Sequence, residues 1–450
     1  MLAHNIKSKR KKEAGYIQNS TLILLAFGSA FFPRCLEAIG FPSPINFVHF
    51  FIIPITCCVV LLTSRNHSRE QVSIVGRLLT GLLIFAIAVV ASAFYNEAGL
   101  INAFLSYLLL TEPFILLLAM VSLPLSKDAF KKLRQWLFYF FGFHLLLVYI
   151  QKYLLQVDTW GHLGLAPPDR IQGVFFLSGS GHVVGGSVSL TFAIYCLLAA
   201  KFLPFWLRVL IAGAGFGHII LADAKQVLLV FIIAGIVLFL LNLKDIVLLI
   251  KYLTGGTIFG YTFLWCVNNL PAFGAYKTWA DPELYSPNGQ ATLVKTTAFR
   301  VIPLHYESPL NFWLGLGPGH TVSRLGGWMV YQYQSLLEPL GVTIHQASSD
   351  VWREAGSFYI ASRSSLFSPL FGWAGIWGDL GLLGLAAYLY LAWLVWHHIC
   401  LEDFSKFLLL TVFFFGLIMS QMEEPGYMLS VAALIGLQWQ ESYCRSPQKI

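Results

Sequence analysis

Three glycines and a histidine stand together at Gly315, Leu316, Gly317, Pro318, Gly319 and His320. Glycines at this spacing admit a tight backbone turn, which can aim the amides of Gly317 and Gly319 at an anionic ligand or simply close a loop. About twenty residues earlier comes Arg300, while Arg170 and Lys225 stand at the ends of apolar runs. Fixed cations of this kind can pair phosphate oxygens, Arg through its planar fork. Each also has a local explanation: Arg170 lies close to Asp158 and Asp169, Lys225 is two residues from Asp223, and Arg300 reads equally as a solvated charge. A hydroxyl nucleophile would need a proton acceptor within hydrogen-bond reach. His320 is the first candidate, and a turn histidine is the alternative. His305, His345, Asp350, Glu354 and the pair Glu423 and Glu424 stand behind it, the two glutamates reading also as the hydrated part of a short loop.

The elements that must position these groups are membrane helices. Of the 450 residues 57% are hydrophobic and 11% charged, less than half of the roughly 25% charged share of soluble chains. Apolar runs of about 18 to 25 residues recur, long enough to cross ~30 Å of hydrocarbon as helices. The expected spans are 20–33, 45–63, 78–94, 100–123, 135–155, 173–200, 203–221, 225–242, 246–265, 369–396, 404–420 and 426–440. The fold class is therefore an all-α polytopic membrane protein of about twelve helices. Residues 1–265 form an N-terminal bundle of nine, 266–368 a large, mainly helical loop, and 369–450 the last three.

Charge orients this arrangement. With both termini cytoplasmic, nineteen basic residues fall inside, from the cluster Lys7, Lys9, Arg10, Lys11 and Lys12 to Lys449, and ten outside. The net charge of +7 thus belongs to the cytoplasmic face and is not a nucleic-acid footprint. The N-terminus reads as an anchor, because no small-residue cleavage site precedes Pro33 and Arg34. The loop balances Lys277, Lys295, Arg300, Arg324, Arg353 and Arg363 against six acidic residues, and carries Trp279, Trp313, Trp328 and Trp352. Those aromatic rings suit stacking on sugars, and equally suit packing a lobe onto the bilayer surface. Seven cysteines make no CxxC pair, so neither a disulfide framework nor a metal site is indicated.

Within the apolar runs, Glu112 is followed by Pro113. A carboxylate near the middle of a membrane helix is costly and is either functional or paired. The carbonyl freed by the proline is one local partner. Glu112 is the best feature for a proton-coupled transporter, with His144 the other polar group at that depth. A transporter built on repeats would show such groups in corresponding halves, and no internal repeat is present.

Arg300 followed by Pro309 to Trp313 and then the glycine run resembles the "R … plfGxGpGh" pattern of the bacterial O-antigen ligase and polysaccharide polymerase superfamily. The segment Arg170 to Phe175 looks like the family's "RxxG(v/t)f" element, with His182 loosely where an "hPN"-like element stands. Asp223 to Gln226 falls where the family carries a functional Arg or Lys. Gly375 to Gly384 resembles the "GxxGxxGllG" segment after the long loop. The resemblance implies a GT-C-like architecture in the bacterial cytoplasmic membrane. It implies transfer of a glycan from a polyprenyl pyrophosphate carrier to an acceptor glycan, without metal or cofactor, with a chain-length regulator and export proteins as further partners. Arg170, Lys225 and Arg300 would then hold the pyrophosphate.

Ligases of the family place a His about eleven residues before the glycine segment, and here Phe367 and Ser368 occupy the pair. Polymerisation is therefore expected ahead of ligation to a lipid or other acceptor. A transporter of lipid-linked sugar and a non-catalytic partner in polysaccharide export are the readings from other classes.

Overall fold

The computed structural model describes residues 18–64, 68–161, 165–242, 246–270, 273–279 and 281–445. The basic cluster Lys7 to Lys12, together with Arg65, Lys244 and Lys449, lies outside them. Helix starts follow from the sequence. Ser68 and Ser126 each accept the amide three residues on, Gln71 at 3.1 Å and Ala129 at 3.2 Å, with Glu70 or Asp128 in the first turn facing the positive helix end.

A helix stands at each expected span: α1 Asn19–Phe31, α2 His49–Thr63, α3 Arg69–Tyr95, α4 Leu100–Ser122, α5 Lys127–Tyr149, α6 Gly181–Leu198, α7 Phe205–Leu221, α8 Lys225–Leu241, α9 Ile246–Asn269, α10 Gly372–His398, α11 Asp403–Ile418 and α12 Pro425–Arg445. No strand occurs among the described residues. Among the described residues six segments are long and apolar enough to cross a membrane: Ser43–Thr63, Arg69–Tyr95, Leu100–Ser122, Lys127–Leu154, Gly181–Leu198 and Gly372–His398. On α3 the exposed residues Val72, Leu79, Leu83, Ile87, Val90 and Phe94 recur at helical spacing along one face, as a lipid-facing stripe does. The helices α4 and α6 are buried along most of their length, and α12 packs against both.

The sixth span departs from expectation. The helix begins at Gly181, not near 173, and residues 165–180 fold instead as a plug against the bundle. Gly173 adopts φ +59, where a side chain would collide with His144. Gln151 then accepts the amides of Gln172 at 3.0 Å and Gly173 at 2.7 Å.

Between α9 and α10 lies a lobe of short helices, including Gln290–Val301, Leu310–Leu314 and Gln346–Gly356. Leu325, Met329, Val330, Tyr333 and Leu337 of this lobe pack with Phe50 of α2 and Leu105, Leu108 and Leu109 of α4. Lys295 donates to the carbonyls of Ser368 at 2.9 Å and Ile418 at 2.5 Å, tying the lobe to the end of α11.

Candidate functional site

The glycine-rich turn does hold an anion, and that anion belongs to the chain. Gly315, Gly317 and Gly319 all have positive φ, at +71, +106 and +73. The turn wraps the buried carboxylate of Asp379, which accepts the Gly319 amide at 2.7 Å, the Thr321 amide at 2.8 Å and the Thr321 hydroxyl at 2.6 Å. Leu316 and Gly317 add amide bonds to the carbonyls of Gly378 and Asp379, both at 2.9 Å. A Cβ on Gly315 would strike the Asp379 backbone, and one on Gly381 (φ +64) the Trp313 carbonyl. The two glycine motifs are therefore halves of one clasp fixing the lobe to α10, and the amides of Gly317 and Gly319 are occupied.

His320 is committed in the same way. Its Nδ1 bonds the Leu316 carbonyl at 2.8 Å and its Nε2 the Thr343 hydroxyl at 2.7 Å, while burial lowers its proton affinity. With both ring nitrogens engaged it is the histidine of a turn. His345 stacks on it at 5.6 Å and caps the helix Gln346–Gly356 by accepting the Ala347 amide at 3.1 Å.

The expected cations do not converge. Arg300 is exposed and paired with the half-buried Glu354 at 2.7 Å. Arg170 is buried but spends its guanidinium on carbonyls, Leu165 at 2.9 and 2.6 Å and Asp158 at 2.7 Å, which holds the plug's shape. Lys225 pairs with Asp223, and Asp169 nearby is pushed up to about 6 by burial and by the Asp223 charge. His182 approaches Asp169 at 3.7 Å. No hydrogen bond or ion pair among the described residues joins Arg300 or His320 to Arg170 or Lys225.

The polar groups that do share a space lie elsewhere. A narrow cleft of roughly 60 Å³ opens between the connector from α1 to α2, α4, the plug and the lobe, lined by Arg34, Asn46, His49, Phe175, Ser178, Arg324, Trp328, Tyr333 and Glu424 among others. Arg34 pairs with Glu37 at 2.9 Å and reaches the Tyr333 hydroxyl at 3.3 Å. Arg324 pairs with Glu424 and lies 4.9 Å over the Trp328 ring. Its buried Nε has no hydrogen-bond partner among the described residues. Burial and the charge of Arg34 together lower the Arg324 pKa to about 10, still fully charged at neutral pH. On the inner wall His49 Nδ1 meets both carboxylate oxygens of Glu112, at 2.8 and 2.9 Å.

Glu423 and Glu424 do not hydrate a loop. Both carboxylates are nearly closed off from solvent, and Glu423 accepts the Arg324 amide at 2.8 Å. Burial pushes Glu423 up to about 8. The folded protein thus keeps a proton on Glu423 that the unfolded chain releases near 4.5, so this residue's contribution to stability falls as pH rises from about 4.5 to about 8. In detergent, Glu423→Gln should flatten the dependence of melting temperature on pH across that window. An unchanged slope would mean that Glu423 is ionised in the fold.

Directly beneath the cleft is an apolar groove of roughly 230 Å³ between α4, α10, α11 and α12, lined by Pro113, Phe114, Leu117, Trp373, Trp393 and Met428 among others. On α4 the wall passes from Leu109 in the cleft to Pro113 in the groove, one helical turn. At the start of α12 it passes from Glu424, Pro425 and Gly426 to Met428.

Arg34, His49 and Arg324 were not among the candidates read from sequence. Arg34 carried the available signal, a cation just past the end of an apolar helix. Arg324 entered only as a lobe charge. No protein-family model matches the chain, and no curated protein sequence matches it.

Proposed function

We propose that this chain is a polysaccharide polymerase-type glycosyltransferase, joining oligosaccharide repeats carried on polyprenyl pyrophosphate at the outer face of a bacterial cytoplasmic membrane. One observation carries the reading: a cleft with two guanidiniums sits one helical turn above a long apolar groove. Such a pair of spaces suits an amphiphile with an anionic head and a long hydrocarbon tail. All twelve helices would span the bilayer, with the lobe outside and both termini inside.

In this reading an acceptor hydroxyl attacks the anomeric carbon of the donor sugar, and the bond from that carbon to the phosphate oxygen breaks. The leaving pyrophosphate gathers negative charge, which Arg324 and Arg34 face as fixed dipoles and charges needing no reorganisation. Arg324 is the principal group, because its Nε is an unspent buried donor. Glu423, neutral at pH 7, leaves Glu424 as the acid opposing it. Arg170 serves indirectly, through the plug whose Phe175 and Ser178 wall the cleft. Phe367 is packed against Trp279 in a small lobe core, 5.2 Å between ring centroids, and presents no polar group. That favours polymerisation over ligase-type transfer.

The rival with an observation of its own is a proton-coupled carrier of lipid-linked sugar, which draws on the buried Glu112. Purified protein in detergent decides between them, since no membrane then separates two sides. Given the lipid-linked oligosaccharide extracted from the source cells, a polymerase lengthens the glycan on its carrier. A carrier leaves the oligosaccharide length unchanged, and that result would overturn the proposal.

A further inference from the structure

The pair formed by His49 and Glu112 is built like the oriented histidine of a proton-transfer site. An ionised carboxylate only accepts hydrogen bonds, so Nδ1, at 2.8 and 2.9 Å from the two Glu112 oxygens, carries the ring hydrogen. That leaves the lone pair on Nε2. His49 lines the cleft, and Nε2 makes no hydrogen bond among the described residues. Glu112 is fully enclosed on α4, so the ring is held from behind and open in front. The contrast with His320 is direct, because there both nitrogens are taken by the protein.

Resting on the reading of the cleft as the transfer site, we infer that His49 is the catalytic residue that takes the proton from the acceptor hydroxyl and that Glu112 is its positioning residue. The hydroxyl proton passes to His49 Nε2 as the oxygen bonds to the anomeric carbon. The carbon–phosphate oxygen bond breaks with its electron pair leaving on the pyrophosphate, and the imidazolium formed is stabilised by Glu112 until water removes the proton. The titratable and charged groups facing the ring's cleft come from every neighbouring element: Arg34, paired with Glu37, from the connector after α1, Glu112 from α4, Arg324 from the lobe, and Glu424 before α12, with the neutral Glu423 behind on the Arg324 amide. The same geometry gives Glu112 a role that needs no movement of protons across the bilayer.

The test uses the full-length protein in detergent with the extracted lipid-linked oligosaccharide, and labelled polyprenyl pyrophosphate to measure binding. His49→Gln should lower turnover about 100-fold or more while pyrophosphate binding stays within about twofold. In His49→Ala, added imidazole should restore part of the turnover, a rescue that no structural role provides. Glu112→Gln should lower turnover less, and should move the acid limb of the pH–rate profile to lower pH as the imidazolium loses its counter-charge. Wild-type turnover in His49→Gln would overturn the inference while leaving the polymerase reading intact. So would loss of turnover in His49→Ala without imidazole rescue. Absence of elongation by the wild-type protein would instead fail the polymerase reading itself.

Discussion

Arg324→Ala is expected to lower glycan elongation about 100- to 1000-fold, the scale seen when one preorganised donor to a developing oxyanion is removed. The residue is largely but not fully buried at the junction of lobe and bundle, with Glu424, Trp328 and the Glu423 carboxylate about its side chain and amide. Truncation would leave Glu424 without its partner in a mostly closed site, where breaking a buried pair costs about 3–5 kcal/mol. Activity is therefore read per mole of folded protein, and Arg324→Lys serves as the companion variant. Lysine keeps the charge opposite Glu424 but cannot present a planar fork to two phosphate oxygens, so it should accumulate normally and still elongate slowly. Arg300→Ala is the control, since a largely exposed pair with Glu354 contributes at most about 1 kcal/mol and does not line the cleft that holds Arg324. Should Arg300→Ala abolish elongation and Arg324→Lys leave it intact, the phosphate contact belongs on the lobe surface and the cleft is not the transfer site.

What the sequence conveyed and what it withheld divide along a physical line. Helix positions are a local property, carried by runs of apolar residues, and all twelve were legible. Edges failed where polar residues extend a helix beyond its apolar run, as when α3 starts at Arg69 on the Ser68 cap, nine residues before the apolar stretch expected from 78. They failed again where apolar residues do not build a helix, as in the plug around Gly173. The glycine turn was legible as a cradle of amides, but its occupant, Asp379, lies sixty residues further on, and nothing in the local pattern pairs them. Glu112 was legible as an acid needing a partner. The only partner its local sequence offers is the carbonyl freed by Pro113, whereas the structure supplies His49 from a different helix. Arg34, His49 and Arg324 meet only because the lobe docks its Leu325 to Leu337 face on α2 and α4, a long-range event with no sequence signature of its own.

Asp379→Asn should destabilise the protein almost as much as Asp379→Ala, by about 3–5 kcal/mol, and this near-equality is the informative part. The carboxylate accepts on both oxygens, Oδ2 from the Gly319 amide and Oδ1 from the Thr321 amide and hydroxyl. An asparagine has one acceptor and one donor, so in either flip its NH₂ group faces a backbone N–H, and at least one buried amide loses its partner. The turn cannot relax to compensate, because Gly315 and Gly381 leave no space between the lobe and the α10 backbone. Ser92 of α3 also bonds the Asp379 carbonyl at 2.8 Å, so opening the clasp disturbs a third element. Melting of the detergent-solubilised variants, together with proteolysis within 315–325, would follow this: both variants should melt lower and be cut faster in the turn than the wild type. An unchanged melting temperature in Asp379→Asn would mean that the glycine amides are not spent on the carboxylate, and would return them to the pool of groups free to hold an external anion.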